Sequence, residues 1–193
     1  INVKQGPTYE HHIKTYGKDF AYRDFLPMWK AEKWQPAEWA NLFKRAGAKY
    51  VVLTTKHHDG FCLFPSRYTD YHCLNYGPKR DIMGELTEAV RAQGLKMGAY
   101  YSGVIDWTFS NMPIFTESQN MSNACPTYAY ADYAYHHYKE LIDLYQPSVL
   151  WNDIGWPTQG EHMLPSLFAY YYNQVEDGVV DNRWNDLWGD FKH

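Results

Sequence analysis

Asp153 closes the run Val149-Leu-Trp-Asn-Asp and is followed at Gly155 by a residue where the chain must turn. A carboxylate at a strand end is held rigidly and can be aimed at a reacting carbon. The same position also reads as an ordinary turn or cap aspartate. His57 and His58 follow the run Val51-Val-Leu-Thr-Thr-Lys. A neutral imidazole both donates and accepts, so the pair suits a polar ligand. It reads also as a metal pair or as structural histidines. Adjacent strand residues point to opposite faces, which speaks against two ligands on one metal. Tyr100 and Tyr101 end a third run of this kind, with Asp106 and Trp107 a little later. Asp181, Asn182, Arg183 and Trp184 end a fourth. Tyr100 reads equally as core, and Arg183 as the partner of a structural carboxylate.

Other chemistries find little support. There is no G-x-S-x-G elbow, and Ser102-Gly103 alone is a weak nucleophile signal. No phosphate-binding P-loop occurs. Cys62, Cys73 and Cys125 are three, too few for a disulfide scaffold, and the placing of Cys62 and Cys73 in the first long loop does not argue for a nucleophile. They read as structural thiols.

The elements that must carry these residues follow from pattern. Pro36 opens a helical stretch that Gly47 stops. Residues 49–55 read as a buried strand, 82–93 as a helix and 96–102 as a second strand. A helix over 128–145 leads to a third strand over 147–153. A short helix over 164–172 leads to a fourth strand over 178–184. The stretch before Trp34 shows no clean period. Regular alternation predicts parallel strands joined by right-handed helical crossovers. Both a doubly wound sheet and a (β/α)8 barrel fit that order. The first strand lacks G-x-G-x-x-G, so the dinucleotide-binding version is disfavoured. In either fold the chemistry lies at the carboxyl ends of the strands. All four strands deliver polar residues beside aromatic ones there.

Composition bounds the rest. The 193 residues are 45% hydrophobic, enough for one domain with a real core across 1–193. A net charge of -4 gives no electrostatic support for nucleic-acid binding. No apolar run approaches the roughly 20 residues of a membrane span. No signal peptide is visible, which leaves a cytoplasmic and a secreted location both open. The 8 Trp, 18 Tyr and 9 Phe exceed what a core of this size needs. Aromatic faces stack on the C–H faces of sugars, so the excess suggests a carbohydrate site.

Five strings taken together are specific: TTKHHDGFCL (54–63), GPKRDIMGEL (77–86), GLKMGAYYSG (94–103), QPSVLWNDIGWP (146–157) and DNRW (181–184). In this order and spacing, from about Tyr9 onward, they resemble the retaining α-L-fucosidases of glycoside hydrolase family 29, most of all the bacterial, thermophile-type members. The resemblance implies a (β/α)8 barrel and hydrolysis of terminal α-L-fucosyl residues through a covalent glycosyl-enzyme. It implies Asp153 as the nucleophile and His57 and His58 as binders of the fucose hydroxyls. It places Tyr100 near the reacting centre, Trp151 at the sugar, and Arg183 in the family's NDRW string. Here that string reads DNRW, which keeps Arg183 but alters its neighbours. No cofactor or metal is implied, and the partners expected are fucosides or fucosylated glycans.

The family's His-Trp-Gly string is absent, and its acid/base glutamate follows soon after the string matched by WGDFK (188–192). The expectation is therefore an internal fragment of about four βα units, roughly the second to fifth strands of the barrel. It reads as a truncation completed by self-association, as a piece of a longer chain, or as a relic of low activity. Glu117, Glu161, Asp59 and Asp106 are the stand-ins for the missing acid. Two further readings are kept: a catalytically weak or silent fucose-binding fragment, and a metal-dependent hydrolase built on His57, His58 and Asp153.

Overall fold

A computed structural model describes residues 6–110, 125 and 127–184. Four strands form one parallel sheet: β1 (Tyr50–Lys56), β2 (Lys96–Ser102), β3 (Val149–Asp153) and β4 (Val179–Val180). Before them lies α1 (Pro7–Tyr16), and helices precede each strand: α2 (Pro36–Arg45), α3 (Ile82–Ala92), α4 (Tyr128–Tyr145) and α5 (Leu164–Gln174). The spatial order of the strands is β1-β2-β3-β4, the order of the chain. That order decides between the two folds. A doubly wound sheet reverses direction at a switch point and carries helices on both faces. Here every right-handed crossover steps the same way, so the helices cover one face, as in an arc of a β/α barrel.

Period two assigns the residues of β2 and β3 to two faces. Met97, Ala99 and Tyr101 on β2, and Leu150 and Asn152 on β3, are buried toward the helices. There they meet Met83, Leu86 and Val90 of α3, Ala134, Tyr138 and Leu141 of α4, and Leu167 and Tyr171 of α5. Tyr100 and Ser102, with Trp151 and Asp153, take the opposite parity. The register sets Tyr100 beside Trp151 and Ser102 beside Asp153. The starts of α3 and α4 carry side-chain caps. Asp81 accepts from the Gly84 amide at 2.8 Å, and Thr127 accepts from the Tyr130 amide at 3.3 Å.

Two expectations are corrected. The stretch before Trp34 contains α1 and a 3-10 segment over Tyr22–Met28. Only His12 of α1 is buried, so no apolar period marked it. Its signal was Pro7 at the start and Gly17 just past the end. The fourth strand is far shorter than 178–184. It pairs only through Val179 and Val180, so Arg183 lies beyond it. Part of the aromatic content lies in the core. Tyr101, Tyr130, Tyr138, Tyr171, Trp156 and Trp184 are all fully or almost fully buried.

Candidate active site

Asp153 is the last residue of β3, and its carboxylate is 18% exposed. Three donors hold it. Tyr100 donates its hydroxyl to Oδ2 at 2.6 Å, the Arg183 guanidinium lies 3.0 Å from Oδ1, and the amide of Ile154 donates to Oδ1 at 2.9 Å. Charge-assisted bonds of this kind are the strong ones. The turn that follows is under backbone strain. Ile154 sits at φ 61, a left-handed conformation that a β-branched residue rarely adopts. Gly155 continues it at φ 90.

Gly103, at the end of β2, packs against that turn. A Cβ there would meet the Gly155 carbonyl at 2.2 Å and Asn152 Oδ1 at 2.3 Å, so only glycine fits. Its amide donates to the Asp153 carbonyl at 2.9 Å. The two strand ends are thereby locked together.

His57 and His58 lie just past β1. Their rings stack at 3.9 Å between centroids with planes 29° apart. The expectation of opposite faces is thus corrected: alternation holds within a strand, and this pair lies in the turn beyond it. The His57 ring is nearly parallel to that of Tyr100, with centroids 6.0 Å apart. His58 Nδ1 is hydrogen-bonded to Ser102 Oγ at 2.7 Å. Burial, helped by His57 and Lys56, pushes the His58 pKa down to about 4, against the pull of Asp153 and Asp106. The imidazole is therefore neutral near pH 7. The Tyr100 hydroxyl is pushed up by burial and by the bond it donates to Asp153.

Beneath the site lies a buried ion pair, Lys56 with Asp106 at 3.0 Å, both side chains fully shielded. Lys56 also donates to the carbonyls of Ser102 and Ile105 and to the Tyr130 hydroxyl. Its place at the register shift near the end of β1 joins that strand to the loop after β2. Asp106 is thus a structural carboxylate.

The structure brings Asp153, Tyr100, Arg183, His57 and His58 into one connected cluster. Trp151 is half-buried on the same strand parity as Asp153, in register with Tyr100. Of the stand-in acids, Asp59 is half-buried and its carboxyl is pushed up by burial. Glu161 is exposed on the 3-10 segment Thr158–Met163. Glu117 lies outside the described residues. Among the described residues no three His, Cys, Asp or Glu side chains are grouped to hold a metal ion. Cys62, Cys73 and Cys125 are buried free thiols, and burial pushes Cys73 up to about 11.

Ser102 is the site neighbour that the sequence undervalued, as half of a weak Ser-Gly pair. Its position two residues after Tyr100 was the available signal, because period two puts both on one face.

Comparison with known proteins gives a consistent result. The profile of the Alpha-L-fucosidase family matches residues 1–191. An alpha-L-fucosidase of Branchiostoma floridae is 37% identical over 91% of this chain and 38% of its own length. A tissue alpha-L-fucosidase of Bos taurus is 36% identical over 95% of this chain and 38% of its own. Thermotoga maritima alpha-fucosidase, solved in complex with fucose, superposes with a TM-score of 0.95 at 54% identity, covering 99% of this chain and 45% of that one. An alpha-L-fucosidase from Bacteroides thetaiotaomicron gives 0.71 at 28% identity over 94% of this chain and 42% of that one. The chain spans about two fifths of the length of the curated relatives it matches.

Proposed function

The chain belongs to the α-L-fucosidase family, and from that membership we propose that it hydrolyses terminal α-L-fucosyl residues with retention, through a covalent glycosyl-enzyme on Asp153. The observation that supports this reading most is the Asp153 carboxylate, fixed at a strand end by Tyr100, Arg183 and the Ile154 amide. A carboxylate held this way needs no rearrangement before attack.

In the first step an Asp153 oxygen bonds to the anomeric carbon as the glycosidic bond breaks, and the leaving oxygen takes a proton from an acid. In the second, water displaces Asp153 and the sugar leaves. Arg183 and Tyr100 hold the carboxylate before attack and receive it back afterwards. His57 and His58 bind the vicinal hydroxyls, where a neutral imidazole both donates and accepts. Trp151 offers a ring face to the apolar side of fucose.

Retention needs a second carboxyl group about 5 to 5.5 Å from the nucleophile. The family resemblance matches no residue of 1–193 to that acid. An aryl fucoside, whose leaving group needs little protonation, reports on Asp153 with the least dependence on that acid.

The test is the hydrolysis of a nitrophenyl α-L-fucoside by the 193-residue chain beside its Asp153→Ala variant. Turnover that falls by at least about a hundredfold in the variant supports the proposal. Equal rates in the two would refute the role of Asp153. Calorimetry with L-fucose isolates the second reading: binding without turnover makes the chain a fucose-binding fragment.

A further inference from the structure

Arg183 has no strand to hold it. β4 ends at Val180, so no ladder bond reaches the residue whose guanidinium meets Asp153. The side chain itself is 44% exposed, so packing alone does not explain its aim. Its main chain, however, is anchored, and the anchor is the residue before Asp153.

Asn152 is fully buried on the helix-facing side of β3, the face opposite Asp153. Its Oδ1 accepts from the Tyr138 hydroxyl of α4 at 2.7 Å. Its Nδ2 donates to the carbonyl of Gly155 at 2.9 Å and to the carbonyl of Arg183 at 2.9 Å. The Gly155 amide donates to the same Arg183 carbonyl at 3.0 Å. The Asn152 amide donates to Asp181 Oδ1 at 3.0 Å. Both side-chain donors are therefore used, and the hydroxyl on Oδ1 fixes which way the amide faces. A carboxamide is the right group here. Two carbonyl oxygens converge on Nδ2, and a carboxylate in its place would repel both.

We infer that Asn152 is a positioning residue that sets Arg183 onto Asp153. It touches neither the guanidinium nor the open side of the site. It acts through the main chain, by tying the turn after the nucleophile to the segment that carries the arginine. The catalytic consequence rests on the proposed function, whereas the geometric claim does not.

Two measurements test it on the full chain, with Asn152→Ala, Tyr138→Phe, Arg183→Ala and the Asn152→Ala/Arg183→Ala double variant. The first needs no turnover. An arginine held against a carboxylate reacts slowly with phenylglyoxal, and peptide mass spectrometry reads each arginine separately. Arg183 should react several-fold faster in Asn152→Ala, and by a smaller factor in Tyr138→Phe, while Arg67, exposed elsewhere, keeps its rate. An unchanged rate at Arg183 overturns the inference.

The second is a double-mutant cycle on a nitrophenyl fucoside. Asn152→Ala should lower kcat by about 10- to 100-fold in the parent, with KM within about twofold, as misplacing a reacting group does. In the Arg183→Ala background it should cost less than about twofold, because the two act as one unit. Full additivity would show that Asn152 supports the fold alone and would overturn the inference. A parent chain without turnover defeats the proposed function, and the phenylglyoxal rates still decide the role of Asn152. If Asn152→Ala does not fold, Tyr138→Phe, which keeps the amide and frees its orientation, carries both measurements.

Discussion

At the scale of single residues, two buried groups have protonation states that the environment sets in opposite senses. His58 is pushed down to about 4 by burial, His57 and Lys56. Its neutral form is the folded form, so its contribution to stability is complete above the ordinary histidine value near 6.5 and is lost as pH falls through about 4. Affinity for fucose, measured by calorimetry, should accordingly stay level between pH 8 and pH 6 and drop near pH 4. A drop centred near 6.5 would mean that His58 titrates as a free histidine. Asp181 behaves the other way. It is buried, and that burial lifts it to about 7 against the Asn152 amide and Arg183. Its protonated form is the one the fold prefers. Its contribution is therefore complete below the ordinary aspartate value near 4 and is lost as pH rises through about 7. Asp181→Asn keeps an oxygen to accept the Asn152 amide and removes the charge. Urea midpoints of the parent should fall between pH 5 and pH 8 more steeply than those of the variant. Identical slopes would sink the assignment.

At the scale of elements, the strand ends are joined by polar groups under the site. Lys56 of β1 meets Asp106 of the loop after β2, and Tyr130 of α4 donates to the Gly103 carbonyl at 2.8 Å. Removing one partner of a buried pair leaves the other charge unpaired. Lys56→Met should therefore cost about 3–5 kcal/mol in urea unfolding. Lys56→Met with Asp106→Asn should recover part of it, and a cost below about 1 kcal/mol for the single variant would show the pair to be solvated. The helices and the first three strands were legible because each has the period its burial demands: α3 and α4 show apolar 3.6-residue spacing, and β1 to β3 are rich in β-branched and aromatic residues. α1 and β4 were not. α1 buries one residue, and β4 is held by two pairs, so neither leaves a pattern long enough to see.

At the scale of the whole molecule, β1 and β4 are the edges of the described sheet. An exposed parallel edge presents unpaired main-chain groups and seeks another strand. We propose that a 193-residue polypeptide of this sequence self-associates, since two copies supply eight strands. Light scattering at about 10 μM should give the mass of two chains or more, because assembly follows mass action. The mass of a single chain, with a cooperative unfolding transition, would refute this.

The alternation of strands and helices, the place of the candidate site residues at or just past strand ends and the family were all readable from the residues in order. They rest on local periodicity and on short strings, which are properties of neighbours in the chain. The choice of barrel arc over doubly wound sheet came from the family resemblance and not from periodicity, because strand order is a matter of which non-local edges pair. The stacking of His57 on His58, which follows from where β1 ends, had no such signal. The support of Arg183 by Asn152 was least visible of all. It joins residues 31 apart through main-chain carbonyls, which carry no side-chain signature in any sequence.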